Sequence, residues 1–443
     1  MQMMDVDKKI SVAAATAVGL GAIIGAGIFV LSGTAIALAG AYALAAFLLV
    51  GVLAFIIAME LGELGSLFPN VKGAAYSYTY KALGSELGFI TGILSYVSFA
   101  TAIGAIALGF GSYLASFIGA SAQTYAIPFA IALIFALSVV NLRGVKKAAQ
   151  ADLWLVAIKI GVLLAFVCFA LYAALEIPGI GLSNLSFAQS GGTLGGIFAA
   201  SVAVFFAYTG FQAISSITDR IRNGTRGYIK AILSAVGISI VLYVLVVVAL
   251  LLLLPASAYK ITADPLSYAL LHVNAPVWLF TLVDIGALVA TTSAALAMIL
   301  TASRALYQMS EDRLLPGLLR KYNPRTDAAV NGVIISAVIA VLVLFAGNVY
   351  VIAAISNFGL MFAYVVVGFD VVHVRMRNMQ APFRTPLYPY LPLLSIALLF
   401  ALFAGMPAEA LMIGVVLIMA LIGVYYALRE IRKKKTIRIK LFD

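Results

Sequence analysis

This chain has little of what aqueous chemistry uses. Among 443 residues there is one cysteine and there are two histidines, and Asp, Glu, Lys and Arg together make up 10%. The lone Cys168 leaves no disulfide framework and no metal constellation. His272 and His373 lie far apart and read as loop or helix-end residues, so neither a Ser/His/Asp set nor a His/Glu metal spacing appears inside an apolar run. No catalytic residue, metal ligand or cofactor is assigned. A soluble chain carries about 25% charged residues, so the scarcity of charge excludes a soluble enzyme and a nucleic-acid-binding domain. What is abundant is apolar: 64% hydrophobic residues and a mean hydropathy of +1.11 also exclude disorder and identify an integral membrane protein.

A helix needs about 20 apolar residues to cross the hydrocarbon core. Twelve runs qualify: 13–38, 43–67, 87–118, 125–142, 151–174, 194–217, 231–254, 278–307, 329–346, 349–371, 389–404 and 408–427. Continuous runs such as Val241–Leu254 exclude the alternating strands of a membrane β-barrel. The first run lacks a small-residue cleavage site and reads as a span, not as a removed signal. The connections between runs are too short for a soluble domain, so residues 1–443 are expected to form one membrane domain.

The basic residues fall on one side of this layout. Lys8, Lys9, Lys72, Lys81, Arg143, Lys146, Lys147, Arg220, Arg222, Arg226, Lys230, Arg304, Arg313, Arg320, Lys321, Arg325, Arg375, Arg377, Arg384 and the tail Arg429–Lys440 share it, whereas Lys260 lies on the other and Lys159 inside a run. By the positive-inside rule both termini are expected in the cytoplasm, with an even number of crossings. The net charge of +11 therefore reads as topology and not as nucleic-acid binding. The basic tail reads as a solvated end that meets anionic lipid.

Two runs are interrupted. In Val18–Phe29 four glycines occur within nine residues, each disfavouring helix by roughly 1 kcal/mol relative to alanine. Taken alone, Gly21 and Gly25 also fit close helix packing. The sixth run has Gly210 directly after Tyr208 and Thr209. Gly-interrupted runs at corresponding places in two halves point to an inverted-repeat transporter with a site at the membrane midplane. A half-helix starting near Gly27 offers N–H groups and a positive dipole end to a carboxylate. One ending near Tyr208 offers carbonyls to an ammonium. The pair selects an α-amino acid.

At this point the chain resembles the amino acid–polyamine–organocation permease superfamily, over nearly its whole length. Ile23–Phe29 is similar to the first-helix signature, and Glu63–Pro69 followed by Gly73, Tyr76 and Tyr78 to the second helix and first cytoplasmic loop. Phe205–Phe211 is similar to the broken sixth helix, Ser303–Asp312 with Leu315-Pro316 to the end of the eighth, and Pro382–Pro389 to the loop before the eleventh. The resemblance implies an all-α membrane protein of the LeuT type, with 12 transmembrane helices. These would form a 5+5 inverted repeat (10–176 and 190–371) with helices 1 and 6 discontinuous, helices 11 and 12 (387–428) and a basic cytoplasmic tail (429–443). It implies a carboxylate site at the N–H groups of Gly25, Ala26 and Gly27 beside Ile23 and Ile24. It also implies an amine site at the carbonyls of Phe206, Ala207 and Thr209 around Tyr208, with Phe205 and Phe206 shaping the pocket. Gln212 stands where relatives often carry an acidic residue, and Asp219–Gly224 departs from their pattern, so the family's gate pairing is not carried over.

Lys159 lies mid-run, where insertion costs about 2.5–3.5 kcal/mol. It reads either as a side chain snorkelling to the interface or as a proton-coupling site. By resemblance to proton-coupled relatives, its ammonium takes the place of a sodium ion and meets the Gly21 carbonyl and Thr292 or Ser293. Asp284 reads as a vestibule charge or an interface residue, and Glu60 and Glu63 as partners of cytoplasmic cations. Asn357 faces the cavity or a neighbouring helix; Ser95, Ser98 and Thr101 line the pocket or bond their own helix. The expected activity is proton-coupled symport of neutral L-amino acids by alternating access, with sodium disfavoured. Open alternatives are an exchanger, a cationic amino acid or polyamine carrier, and a channel or nutrient receptor on the same fold. The protein is expected to be a monomer in the plasma membrane whose partners are its substrate and the lipid.

Overall fold

A backbone in hydrocarbon must satisfy its N–H and C=O groups internally, so the apolar runs have one main solution, the helix. The computed structural model describes residues 10–68, 75–143, 148–177, 180–185, 193–212, 214 and 221–440, with the side chains of 148–153 and 428–440 left aside. Lys8, Lys9, Pro69, Lys72, Gly73, Lys146, Lys147, Asp219, Arg220 and the sixth run beyond Ile214 lie outside the described residues, as do the side chains of the basic tail. The fold is helical. The described strands are two antiparallel pieces, Tyr322–Asn323 and Ala328–Ala329, and an isolated bridge joins Ile10 to Ile221.

The first run is split into α1 (Val12–Ile23) and α2 (Ala26–Ala39). Helix then continues almost unbroken from Ala26 to Leu67, 42 residues. That would be about 63 Å long, against roughly 30 Å of hydrocarbon. The stretch divides at the 3-10 turn Gly40–Tyr42, after which α3 runs Ala43–Leu67. Among the described residues, eight helical stretches are long and apolar enough to cross a membrane. Besides Ala26–Leu67 they lie in α5 (Ser85–Phe117), α6 (Ala122–Arg143), α7 (Ala148–Glu176), α9 (Gly224–Leu253), α11 (Val277–Glu311), α13 (Val349–Met376) and α15 (Ala408–Lys440). Shorter apolar helices are α1, α8 (Leu194–Tyr208), α12 (Val330–Val343) and α14 (Tyr390–Phe403). Two short helices, α4 (Ala75–Ala82) and α10 (Pro265–His272), precede α5 and α11.

Burial separates centre from rim. The most apolar windows of α13 and α5 are 89% and 78% buried and that of α15 is 17%, so α5 and α13 form the centre and α15 the edge. Outward side chains such as Trp154, Leu175, Phe135 and Val277 are exposed and apolar, as a lipid-facing surface requires. Contacts fall into two groups. Helices α1, α2, α3, α8 and α9 pack on one another; α5, α6, α11, α12 and α13 form the second set; α7 touches α1, α9 and α11.

Candidate functional site

The glycines of the first run end α1 before α2 can begin. Ile24 N–H donates to Leu20 O at 2.7 Å, and Gly25 N–H turns back to Ile23 O at 2.8 Å instead of reaching Gly21. The last carbonyls of α1 are thereby open to other partners. Helix α2 restarts at Ala26 with Gly25 as its N-cap and no side-chain cap, so the first-turn N–H groups of Ala26, Gly27 and Ile28 keep the positive end of the dipole unmasked.

The sixth run breaks in the same layer. Helix α8 ends at Tyr208. Thr209 is extended, and both its N–H (3.3 Å) and its hydroxyl (2.8 Å) donate to Phe206 O. Gly210 has φ +115°, a conformation that glycine adopts without strain. A Cβ there would also strike the Ala22 carbonyl, and one on Gly27 would strike the Ala207 backbone. The two breaks are therefore in backbone contact.

Tyr243 of α9 joins them. Its hydroxyl lies 2.7 Å from Ile23 O and 3.1 Å from Ala207 O, and its buried ring packs 5.1 Å from Tyr208 and 6.2 Å from Phe47. Tyr208 in turn donates to Phe47 O at 3.2 Å. Sequence reasoning missed Tyr243, because within Val241–Leu245 it reads as one more lipophilic residue. Gln212, singled out in the sequence only as a departure from the relatives' acidic residue, has a structural part: its Oε1 accepts from Gly210 N–H (3.1 Å) and from Tyr364 OH (3.0 Å), tying the break to α13. The rings of Phe205 and Phe211 lie 6.1 and 5.8 Å from Tyr364, forming an aromatic wall.

Lys159 projects from α7 to the end of α1. Its Nζ donates to Gly21 O at 3.1 Å, and the side chain is 2% exposed. The carbonyl that Gly25 leaves open thus receives a cation at a helix C-terminus, the end where positive charge is favoured. On α11, a Gly25 Cβ would lie 3.0 Å from the Ala294 methyl. Thr292 and Ser293 lie next to Ala294 in the chain, and the Ser293 hydroxyl donates to Ala290 O of its own helix at 3.0 Å.

The other polar residues divide. Thr101 bonds Val97 O of its own helix at 2.8 Å, whereas the hydroxyls of Ser95 and Ser98 are buried without a partner. Asn357 donates to Val202 O of α8 at 2.6 Å. Glu63 pairs with Arg375 and accepts Thr385 N–H at 2.8 Å, Glu60 accepts from Ser395 at 2.6 Å, and Asp284 accepts from Ser267. Outside the spans, Tyr76 donates to Asp312 at 2.5 Å, and burial with that bond pushes its hydroxyl above the ordinary tyrosine range.

Donors at the start of α2, acceptors at the ends of α1 and α8, and a lysine beside them can bind a zwitterion and exchange a proton. Residues 15–439 match the amino acid permease family. The chain is 29% identical over 402 residues to the methylthioribose transporter of Bacillus subtilis (strain 168), covering 86% of this chain and 84% of that protein. It is 28% identical to the branched-chain amino acid permease BcaP of the same organism, covering 88% and 85%. It is 29% identical to the vacuolar cationic amino acid transporter 2 of Arabidopsis thaliana, covering 81% and 58%. The chain belongs to the amino acid permease family, within the amino acid–polyamine–organocation superfamily.

Proposed function

We propose that this permease is a proton-coupled symporter of neutral L-amino acids, operating by alternating access in the plasma membrane. One observation carries the reading: the unmasked N–H groups of Ala26–Ile28 and the carbonyl ends of α1 and α8 meet in one buried layer, with the Lys159 ammonium on Gly21 O. The substrate carboxylate takes the α2 N–H groups, and its ammonium takes the carbonyls around Phe206 and Ala207, displacing the Tyr243 hydroxyl from Ala207 O. Phe205, Phe211 and Tyr364 receive an apolar side chain. No carboxylate of the described residues lines that wall, which disfavours a cationic side chain; the branched-chain permease among the relatives points the same way.

The coupling follows from the physics of a buried lysine. Protonated, Lys159 holds α7 to the end of α1; neutral, it releases that end. The packing supports a division in which helices 1, 2, 6 and 7 of twelve crossings rock against 3, 4, 8 and 9, as two repeats of five helices (10–176 and 190–371) followed by a C-terminal pair. Both termini are cytoplasmic and the working unit is a monomer. The test is uptake of labelled amino acids by proteoliposomes under an inward proton gradient. Accumulation above equilibrium that a protonophore collapses is expected. Uptake that requires amino acid inside the vesicle assigns an exchanger and overturns the symport reading.

A further inference from the structure

Helices α4 and α10 lie at opposite ends of α5, which spans about 50 Å: α4 precedes its N-terminus, and the segment leading into α10 meets its C-terminal turn at Ser116. Each short helix is held to a long one by a hydroxyl on a buried carboxyl. In α10, Ser267 donates to Asp284 Oδ1 of α11; in α4, Thr79 donates to Asp370 Oδ2 of α13 at 2.7 Å. Both acids are 0% exposed, and in each the other oxygen has no hydrogen-bond partner. The ion pairs among the described residues, Arg304–Asp327, Arg320–Glu311 and Arg375–Glu63, include neither. A carboxylate sealed from water with one hydrogen bond and no counter-charge is strongly disfavoured, whereas a neutral carboxyl is not.

Around Asp284, α10 works as a strap. Pro265 packs on Gly33 of α2, the Thr34 hydroxyl reaches Thr262 O at 3.5 Å, and Asp264 accepts from Ser116 at 2.6 Å. Tyr113 of α5 bonds Phe29 O of α2 at 2.6 Å in the same region. The strap thus spans α2, α5 and α11.

We propose that Asp284 is a proton-binding site distinct from Lys159. With a proton on its carboxyl α10 seals; once the carboxylate forms and must be hydrated, α10 lifts. The ligand is a proton from the aqueous phase on the α10 side. Asp264 and Tyr113 are the titratable neighbours that feel the charge of Asp284. Burial raises the Asp264 carboxyl above its ordinary value, so this neighbour supplies no counter-charge, and when ionised it further disfavours the Asp284 anion. From α7, Val162 packs on Gly286 with Lys159 one turn along; α6 brings the exposed Tyr125; Lys260, His272, Tyr259 and Tyr268 belong to the α10 segment; α1, α2 and α12 carry no titratable residue. The inference rests on the membrane reading of the helices, not on any substrate or on Lys159, so failure of proton-coupled uptake leaves it standing.

The test uses a cysteine beneath the strap. Thr34→Cys in a Cys168→Ser background, reconstituted in liposomes, is labelled with a membrane-impermeant methanethiosulfonate from pH 5 to pH 8. Rates are corrected for thiolate formation against Leu271→Cys, which is exposed on α10. The corrected rate is expected to rise at least fivefold with pH in the parent, and to stay low at every pH in Asp284→Asn, which imitates the protonated carboxyl. Ser267→Ala, which leaves the acid in place, is expected to speed labelling at pH 5. A flat parent profile, or pH dependence that survives in Asp284→Asn, overturns the proposal. If Asp284→Asn does not fold, an unchanged rate at pH 5 in Ser267→Ala overturns it.

Discussion

Replacing Lys159 with methionine keeps most of the side-chain volume and removes the charge and its donors. Two terms then oppose each other. Relief from burying an ammonium in the membrane favours the variant by about 2.5–3.5 kcal/mol on insertion scales. Loss of a charged hydrogen bond to Gly21 O, whose usual helical donor Gly25 N–H is turned to Ile23 O, disfavours it by about 1.5–3 kcal/mol. Overall stability is expected to change little, with an unfolding midpoint in detergent within a few degrees of the parent. The equilibrium between arrangements of α1 and α7 carries only the second term. It should shift by about ten- to 150-fold, at 1.4 kcal/mol per factor of ten. The assay pairs gradient-driven accumulation with counterflow at equal pH, in the same proteoliposomes. Lys159→Met is expected to lose accumulation above equilibrium while retaining counterflow within about tenfold of the parent. Accumulation that survives, or that falls only in proportion to counterflow, refutes the coupling argument.

Tyr243→Phe keeps the ring against Tyr208 and Phe47 but leaves Ile23 O and Ala207 O without that hydroxyl; about 1–3 kcal/mol of stability should be lost, read from equilibrium unfolding in mixed micelles. Arg375→Ala strands Glu63, whose side chain is 1% exposed, and should destabilise by about 3–5 kcal/mol. The double variant Glu63→Gln/Arg375→Met should recover part of that loss, and strictly additive losses would sink the pairing argument. The raised carboxyl of Asp264 means that the folded state holds this proton more tightly than the unfolded chain. Its contribution is complete below the ordinary value near 3.8 and is lost as pH climbs through the folded value. Asp264→Asn should therefore flatten the fall in stability above about pH 4, measured as the unfolding midpoint against pH.

The helices were legible because the bilayer imposes one requirement, about 20 apolar residues per crossing, and each of the twelve runs carries helix. The break after Ile23 was legible too. Four glycines in nine residues leave a helix in hydrocarbon little to hold it, and the bonding of Gly25 N–H to Ile23 O is the result. Gly210 marked the second break through one residue, with Tyr208 and Thr209 beside it.

What escaped were pairings across the fold. Tyr243 lies 220 residues from Ile23 and 36 from Ala207, and nothing in its apolar surroundings marks its hydroxyl as the bridge between two broken helices. Glu63 was legible as the partner of a cytoplasmic cation, but not that the cation is Arg375, 312 residues away, and Gln212 reaches Tyr364 across 152. Hydropathy is a sum over neighbours in the chain, so composition and glycine placement decide where helix forms and where it fails. Hydrogen bonds between helices depend on crossing angle, rotation and depth. Packing of the whole set fixes those quantities, and so it alone selects which buried oxygens receive Tyr243 and Ser267; for Lys159 the resemblance had already pointed to the Gly21 carbonyl, which its Nζ meets at 3.1 Å.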